Sequence, residues 1–270
     1  MGWLSPGMQL YLLAVTALLG LVFGSFCNAW AWRLAHGESI IHGRSHCAFC
    51  GHALAARDLI PVLSYVRLHG RCRYCGTRIS PRYTAAELIL CAFFVSVVLS
   101  YPTLVGQVPP DGYALLTLAR WLVLGSLLLV AALVDFDTRQ IPDRLLVFMA
   151  VLFLFVGLVY GWSGYKDGLI GACAVGVPLL LFVLLADRIM GCETMGGADI
   201  KLFFVLGLHF GAARTLLILI LSSLIGILGA VLAHRGRREP FPFGPAIAIA
   251  AWIVLLFGAQ FLAWYWELFL

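Results

Sequence analysis

The sequence predicts an all-α polytopic membrane protein of about eight transmembrane helices, with a small loop domain between helices 1 and 2. Three observations predict it. Of the 270 residues, 62% are hydrophobic and only 11% are charged, against ~25% charged in an average soluble domain; mean hydropathy is +0.98. Apolar runs of helix length alternate with polar or Gly/Pro clusters. Basic residues concentrate in every second loop. Together these exclude a soluble globular enzyme, and also a disordered chain, which needs low hydrophobicity and high charge. The 8 cysteines are too sparse for a secreted disulfide scaffold.

The first span, 9–32, lacks a positive n-region, because no Lys or Arg occurs before Arg33. It therefore reads as a membrane helix and not as a cleaved signal peptide. The remaining spans fall at 85–103, 113–134, 144–162, 168–187, 200–211, 213–233 and 245–266. The sixth is short for a bilayer of about 30 Å and reads as a tilted or half-buried helix packed inside the bundle. The domains are 1–32, the first transmembrane helix; 33–84, a loop domain; and 85–270, the membrane core. No heptads, solenoid period or low-complexity tract occurs.

The net charge of +5 is a topology signal and not a nucleic-acid footprint. One side of the membrane receives Arg33, Arg44, Arg57, Arg67, Arg71, Arg73, Arg78, Arg82, Arg139, Arg144, Arg188, Lys201, Arg235, Arg237 and Arg238. The other receives only Arg120, Lys166 and Arg214. Positive charge marks the cytoplasmic side, so the 33–84 loop is expected in the cytoplasm with both termini outside. Trp3 and the closing Trp264-Tyr265-Trp266 suit the outer interface.

The loop carries two CxxC pairs, Cys47/Cys50 and Cys72/Cys75, with 21 residues between them. Each is followed by a glycine, Gly51 or Gly76, which permits a tight turn. The pattern fits a tetrahedral four-cysteine zinc site, closed and therefore structural. Redox pairs or disulfides are the competing reading. A reducing cytosol disfavours disulfides, and the short loop has no room for a thioredoxin-like setting. His46 and His52 are weaker candidate ligands. Five Arg from Arg57 to Arg78 would offset the thiolate charge. Cys27, Cys91, Cys173 and Cys192 read as small apolar residues.

Few acids lie near the spans. Asp135, Asp137 and Asp143 cluster after the third span, Asp187 and Glu193 follow the fifth, and Asp199 opens the sixth. An Asp near a span is costly, and Asp135 directly follows a long apolar run. Gly196-Gly197-Ala198 removes side-chain bulk before Asp199, so another backbone can approach. Two carboxylates brought together share a proton, which is the aspartic-protease arrangement. Ion or proton handling, as in a transporter, and simple anchoring of helix ends remain alternatives. A transporter would place its acids near mid-membrane, whereas these sit at one edge. A zinc-stabilised scaffold without activity is a third possibility.

Taken in order, the motifs resemble the type IV prepilin peptidase family. They are Gly24-Ser25-Phe26-Cys27-Asn28 with Arg33-Leu34, the two CxxC pairs, Ile60 to Tyr65, Ile79-Ser80-Pro81-Arg82-Tyr83 and Glu87. Then come Ile141-Pro142-Asp143, Gly197-Ala198-Asp199-Ile200-Lys201-Leu202 and Pro242-Phe243-Gly244-Pro245. The resemblance implies an intramembrane aspartic endopeptidase of the bacterial inner membrane, acting at the cytoplasmic face. It implies catalytic Asp135 and Asp199, 64 positions apart, with Asp137 the rival for Asp135. Ala198 stands where the family's GxGD motif usually has a second glycine. The implied substrates are type IV prepilins or type II secretion pseudopilins, each with a short basic leader followed by an apolar helix. The resemblance also implies N-methylation of the new N-terminus from S-adenosylmethionine. No GxGxxG-type loop appears, and a peptidase without methyltransferase activity is the alternative.

Overall fold

The computed structural model describes residues 6–39, 42–100, 113–233 and 242–269. Helix α1, Pro6–Ala35, leads into a loop containing a 3-10 turn at Ala56–Asp58 and the short helix α2, Leu63–Arg67. Helices α3 (Arg82–Leu99), α4 (Tyr113–Thr138), α5 (Asp143–Tyr160), α6 (Trp162–Met190), α7 (Gly197–Ala233) and α8 (Gly244–Phe269) follow. Seven of the helices are long and apolar enough to cross a membrane. Among the described residues there is no strand, only the isolated bridges His46–Ala53 and Arg71–Arg78. Trp3, Arg235, Arg237 and Arg238 lie outside the described residues.

The bundle is built as bilayer solvent requires. Leu158, Ile189 and Leu232 point outward and are strongly exposed, because lipid is as apolar as a protein core. The most enclosed span is α4, 56% buried against 17% for α1, so α4 is the axis around which the others pack. Its side chains Leu124, Val130 and Val134 are almost fully buried, against Leu90 of α3, Leu202 and Phe203 of α7, and Ile247 of α8.

Helix α4 runs four residues past the predicted end at 134. Asp135 and Asp137 therefore stand on its last turn, not in a loop. Nothing in Asp135-Phe136-Asp137-Thr138 forbids helix. The chain leaves it where Arg139 takes φ 57°, with its N–H still bonded to the Asp135 carbonyl at 2.8 Å. Pro142 then sits in an extended conformation just before α5.

The predicted sixth and seventh spans are two limbs of α7, broken at Gly211 (φ 74°, ψ 175°). Only glycine takes that backbone readily. The second limb runs antiparallel to α8. Gly226 lies against Phe243 and Ala246 near the start of α8, whereas Arg214 lies against Gly258 farther along it. The first limb, 197–210, reaches only about 21 Å at 1.5 Å per residue. It is enclosed by protein instead of facing lipid alone. Gly207 and Gly211 press on Gly171 of α6, and Arg120 of α4 donates to the His209 carbonyl at 2.6 Å. The limb's exposed carbonyl end is thus satisfied inside the bundle.

Candidate active site and metal centre

Asp135 is 4% exposed at the end of α4. Its Oδ2 accepts the Gly244 N–H at 2.7 Å, so the first residue of α8 docks on it. This closeness requires glycine. A Cβ on Gly244 would lie 2.8 Å from Oδ2 and 2.9 Å from the Asp135 Cβ. Asp199 stands on the first turn of α7, half-buried, with its N–H bonded to the Gly196 carbonyl at 3.0 Å. The charge of Asp135 acts on Asp199, so the two carboxylates belong to one electrostatic neighbourhood. Beside Asp199 a Cβ on Gly196 would lie 3.2 Å from its Oδ2, whereas one on Gly197 would meet nothing within 4 Å, so the approach at Gly197 is open.

The surrounding polar groups brace this end of the bundle. Arg82, at the start of α3, ion-pairs with Asp137 and donates to the Leu133 carbonyl at 3.1 Å. Asp137 is thereby engaged with the residue at the loop exit. Lys201 and Asp143 pair at 2.7 Å, tying the starts of α5 and α7. Asp187 accepts the Thr194 N–H at 2.7 Å and the Thr194 hydroxyl at 2.6 Å, shaping the turn that leads into Gly196.

In the loop, the sulfurs of Cys47, Cys50, Cys72 and Cys75 all lie within 4.8 Å of one another. All four are free thiols, and neither His46 nor His52 belongs to the cluster. The two halves repeat one turn. Cys47 N–H bonds the His52 carbonyl at 3.0 Å and Gly51 N–H returns to the Cys47 carbonyl at 2.9 Å; the Cys72, Thr77 and Gly76 bonds are 2.8 and 3.0 Å. Gly51 and Gly76 take φ of 67° and 71°, as a turn of this kind needs. Hydrogen bonds with the Thr77 hydroxyl and backbone hold the Cys75 thiol down to about 6. Four such sulfurs this close call for a cation, and the set suits a tetrahedral ion.

The loop is also tied to the bundle. Glu87 of α3, buried, accepts the Val62 N–H at 2.7 Å. Val62 has φ 60°, an unfavourable region for a β-branched residue, and the buried carboxylate holds it there. Asp58 bonds Arg73 at 2.7 Å and the Tyr74 hydroxyl at 2.9 Å. Burial pushes the Asp58 carboxyl up, but these bonds outweigh it and hold it below its ordinary value.

A family model for the bacterial peptidase A24 N-terminal domain matches residues 18–101. A second, for the type IV leader peptidase family, matches residues 122–231. A prepilin leader peptidase/N-methyltransferase of Bacillus subtilis (strain 168) is 34% identical over 258 residues, covering 94% of this chain and 98% of that protein. The chain belongs to the type IV leader peptidase family. Proteins of the same description from Aeromonas hydrophila and Pseudomonas putida are each 33% identical, covering 84% and 94% of this chain and 76% and 93% of theirs. No solved structure gives a significant match.

For this type IV leader peptidase family member, the sequence named the carboxylates and cysteines but not what holds them. Gly244, Arg82 and Glu87 lie in the motifs quoted above, yet no spacing tells that Gly244 touches Asp135 or that Glu87 carries Val62. Of the other cysteines, Cys27 is buried, but Cys173 and Cys192 are exposed, Cys192 in the turn after α6. The aromatic residues Trp264, Tyr265 and Trp266 are exposed at the end of α8 remote from Gly244, as an interface position requires.

Proposed function

We propose that this chain is an intramembrane aspartic endopeptidase that removes the basic leader of type IV prepilins or type II secretion pseudopilins. The cut falls at the cytoplasmic face of the bacterial inner membrane. Asp135 and Asp199 are the catalytic pair. The observation that carries the reading is the buried Asp135, held by the Gly244 N–H and within electrostatic reach of Asp199.

The pair works with one proton between two carboxyl groups. The ionised member takes a proton from the attacking water while the protonated member polarises the scissile carbonyl. The Gly244 N–H stabilises the ionised form of Asp135 and fixes which oxygen faces the partner. The open Gly197 side gives an extended peptide room to approach without a steric clash. The leader stays in the aqueous phase and the following apolar helix enters lipid, which places the cut at the boundary where the carboxylates stand.

Cys47, Cys50, Cys72 and Cys75 hold one zinc ion, whose role is to fold the loop; four thiolates leave no open position for chemistry. Methylation of the new N-terminus from S-adenosylmethionine follows cleavage. The deciding experiment is cleavage of a prepilin-type peptide by the purified chain and by Asp135→Asn and Asp199→Asn. Both variants should fold and neither should cleave. Full cleavage by either would remove that residue from the pair.

A further inference from the structure

An apolar cavity of about 390 Å³ lies between α3, α4 and α8. Along α4 its wall runs from Phe136 through Ala132 to Trp121, and along α8 from Pro245 through Ile249 to Leu255. On α4 this is the stripe at spacings of three and four that continues onto Asp135. On α8 it begins at the residue after Gly244. The groove therefore ends at Phe136 and Pro245, one residue from Asp135 and from Gly244, and extends about 22 Å away from them, four helical turns. Its floor is deeply buried, whereas Phe136 and Ile249 on its flanks are 62% and 46% exposed. It is open on the lipid side and has room for a few side chains, not for a whole helix.

We propose that this groove seats one face of the substrate's apolar helix, directly C-terminal to the scissile bond. The inference rests on the peptidase reading and adds where the membrane part of the substrate docks. Two features favour this occupant over an acyl chain. The groove ends one residue from Asp135 and Gly244, and no basic side chain that could hold a headgroup lines it. Its length would also run beside about fifteen residues of a helix that follows the cut. A helix laid along α4 and α8 presents its first residue, and the peptide bond before it, at Asp135. Interlocking side chains, not water exclusion, supply the affinity, as between any two helices in lipid.

The test compares two substrates on the full chain in lipid nanodiscs: a long peptide with leader, cut site and whole apolar helix, and a short one ending a few residues past the cut. Ile249→Trp and Ala248→Phe narrow the groove, and Leu184→Trp on the lipid face of α6 is the matched control. The ratio of kcat/KM, long to short, should fall at least tenfold in the groove variants and stay unchanged in the control. A ratio unchanged in all three overturns the proposal. A photo-crosslinker at Ile249, in an Asp199→Asn background, should capture the long peptide; capture of lipid alone also overturns it. If the wild-type chain cuts neither peptide, the peptidase reading fails separately, and the crosslink alone decides the docking.

Discussion

The cysteine loop and the carboxylate site are organised on opposite principles. The loop writes the same turn twice, each built from residues within six positions of one another and closed by a glycine at positive φ. Its order is local and is completed by an ion. The carboxylate site takes Asp135 from the end of α4, Asp199 from the start of α7 and Gly244 from the start of α8. No two of these are near in sequence, and their approach depends on three helices ending at one level. A site of the first kind should fail by losing its ion. A site of the second kind should fail by small shifts of helix ends.

The strongest way to break this comparison is at the carboxylates. Removing a positioned acid–base group costs about 10²–10⁴-fold, so Asp135→Asn and Asp199→Asn should each take peptide cleavage below a hundredth of the wild-type rate. Circular dichroism and detergent-extracted yield should not change. Next is Gly244→Ala. It pushes a methyl into Asp135 and removes a hydrogen bond to a charged group worth about 1.5–3 kcal/mol. Cleavage should fall about ten- to a hundredfold in kcat with helix content kept. Activity equal to wild type would show that the α8 contact is not part of the site.

The loop should respond differently. Cys47→Ser or Cys72→Ser should drop bound zinc, measured by elemental analysis, from about one per chain to near none, as a single tetrahedral site requires. Methylation should suffer more than cleavage; the reverse order would mean that the loop supports the peptidase site directly. Glu87→Gln sharpens the same point, because it weakens the bond that holds Val62. Limited proteolysis between residues 55 and 70 should speed up several-fold while zinc is retained. The smallest effect is expected at Lys201→Met. The Lys201–Asp143 pair is 58% and 69% exposed, and such pairs contribute about 0–1 kcal/mol. Cleavage should change less than about fivefold.

Much of the fold was legible because a bilayer imposes simple rules. Apolar length located the spans. The weak point was the short span at 200–211. Its length alone could not say whether it crossed, tilted or sat inside the bundle. The answer lay in residues that face it from elsewhere, Arg120 of α4 and Gly171 of α6, and in the conformation of Gly211. Helix ends were misplaced for a related reason. Asp135 and Asp137 are polar, so they read as loop, but a carboxylate on the last turn of a helix keeps its backbone bonds when a neighbouring chain covers it.

By itself the sequence determined the membrane class, the cysteine tetrad and the few acids that stand at the span edges. Each of these depends on composition, on spacing within one turn, or on a residue type too costly to place casually in lipid. Tertiary structure alone decided which partner each acid meets. Asp135 receives the Gly244 N–H, while Asp137, two residues on, turns to Arg82. Neighbouring positions on a helix point in different directions, and only the packing of α3, α7 and α8 around α4 selects the partner that each one meets.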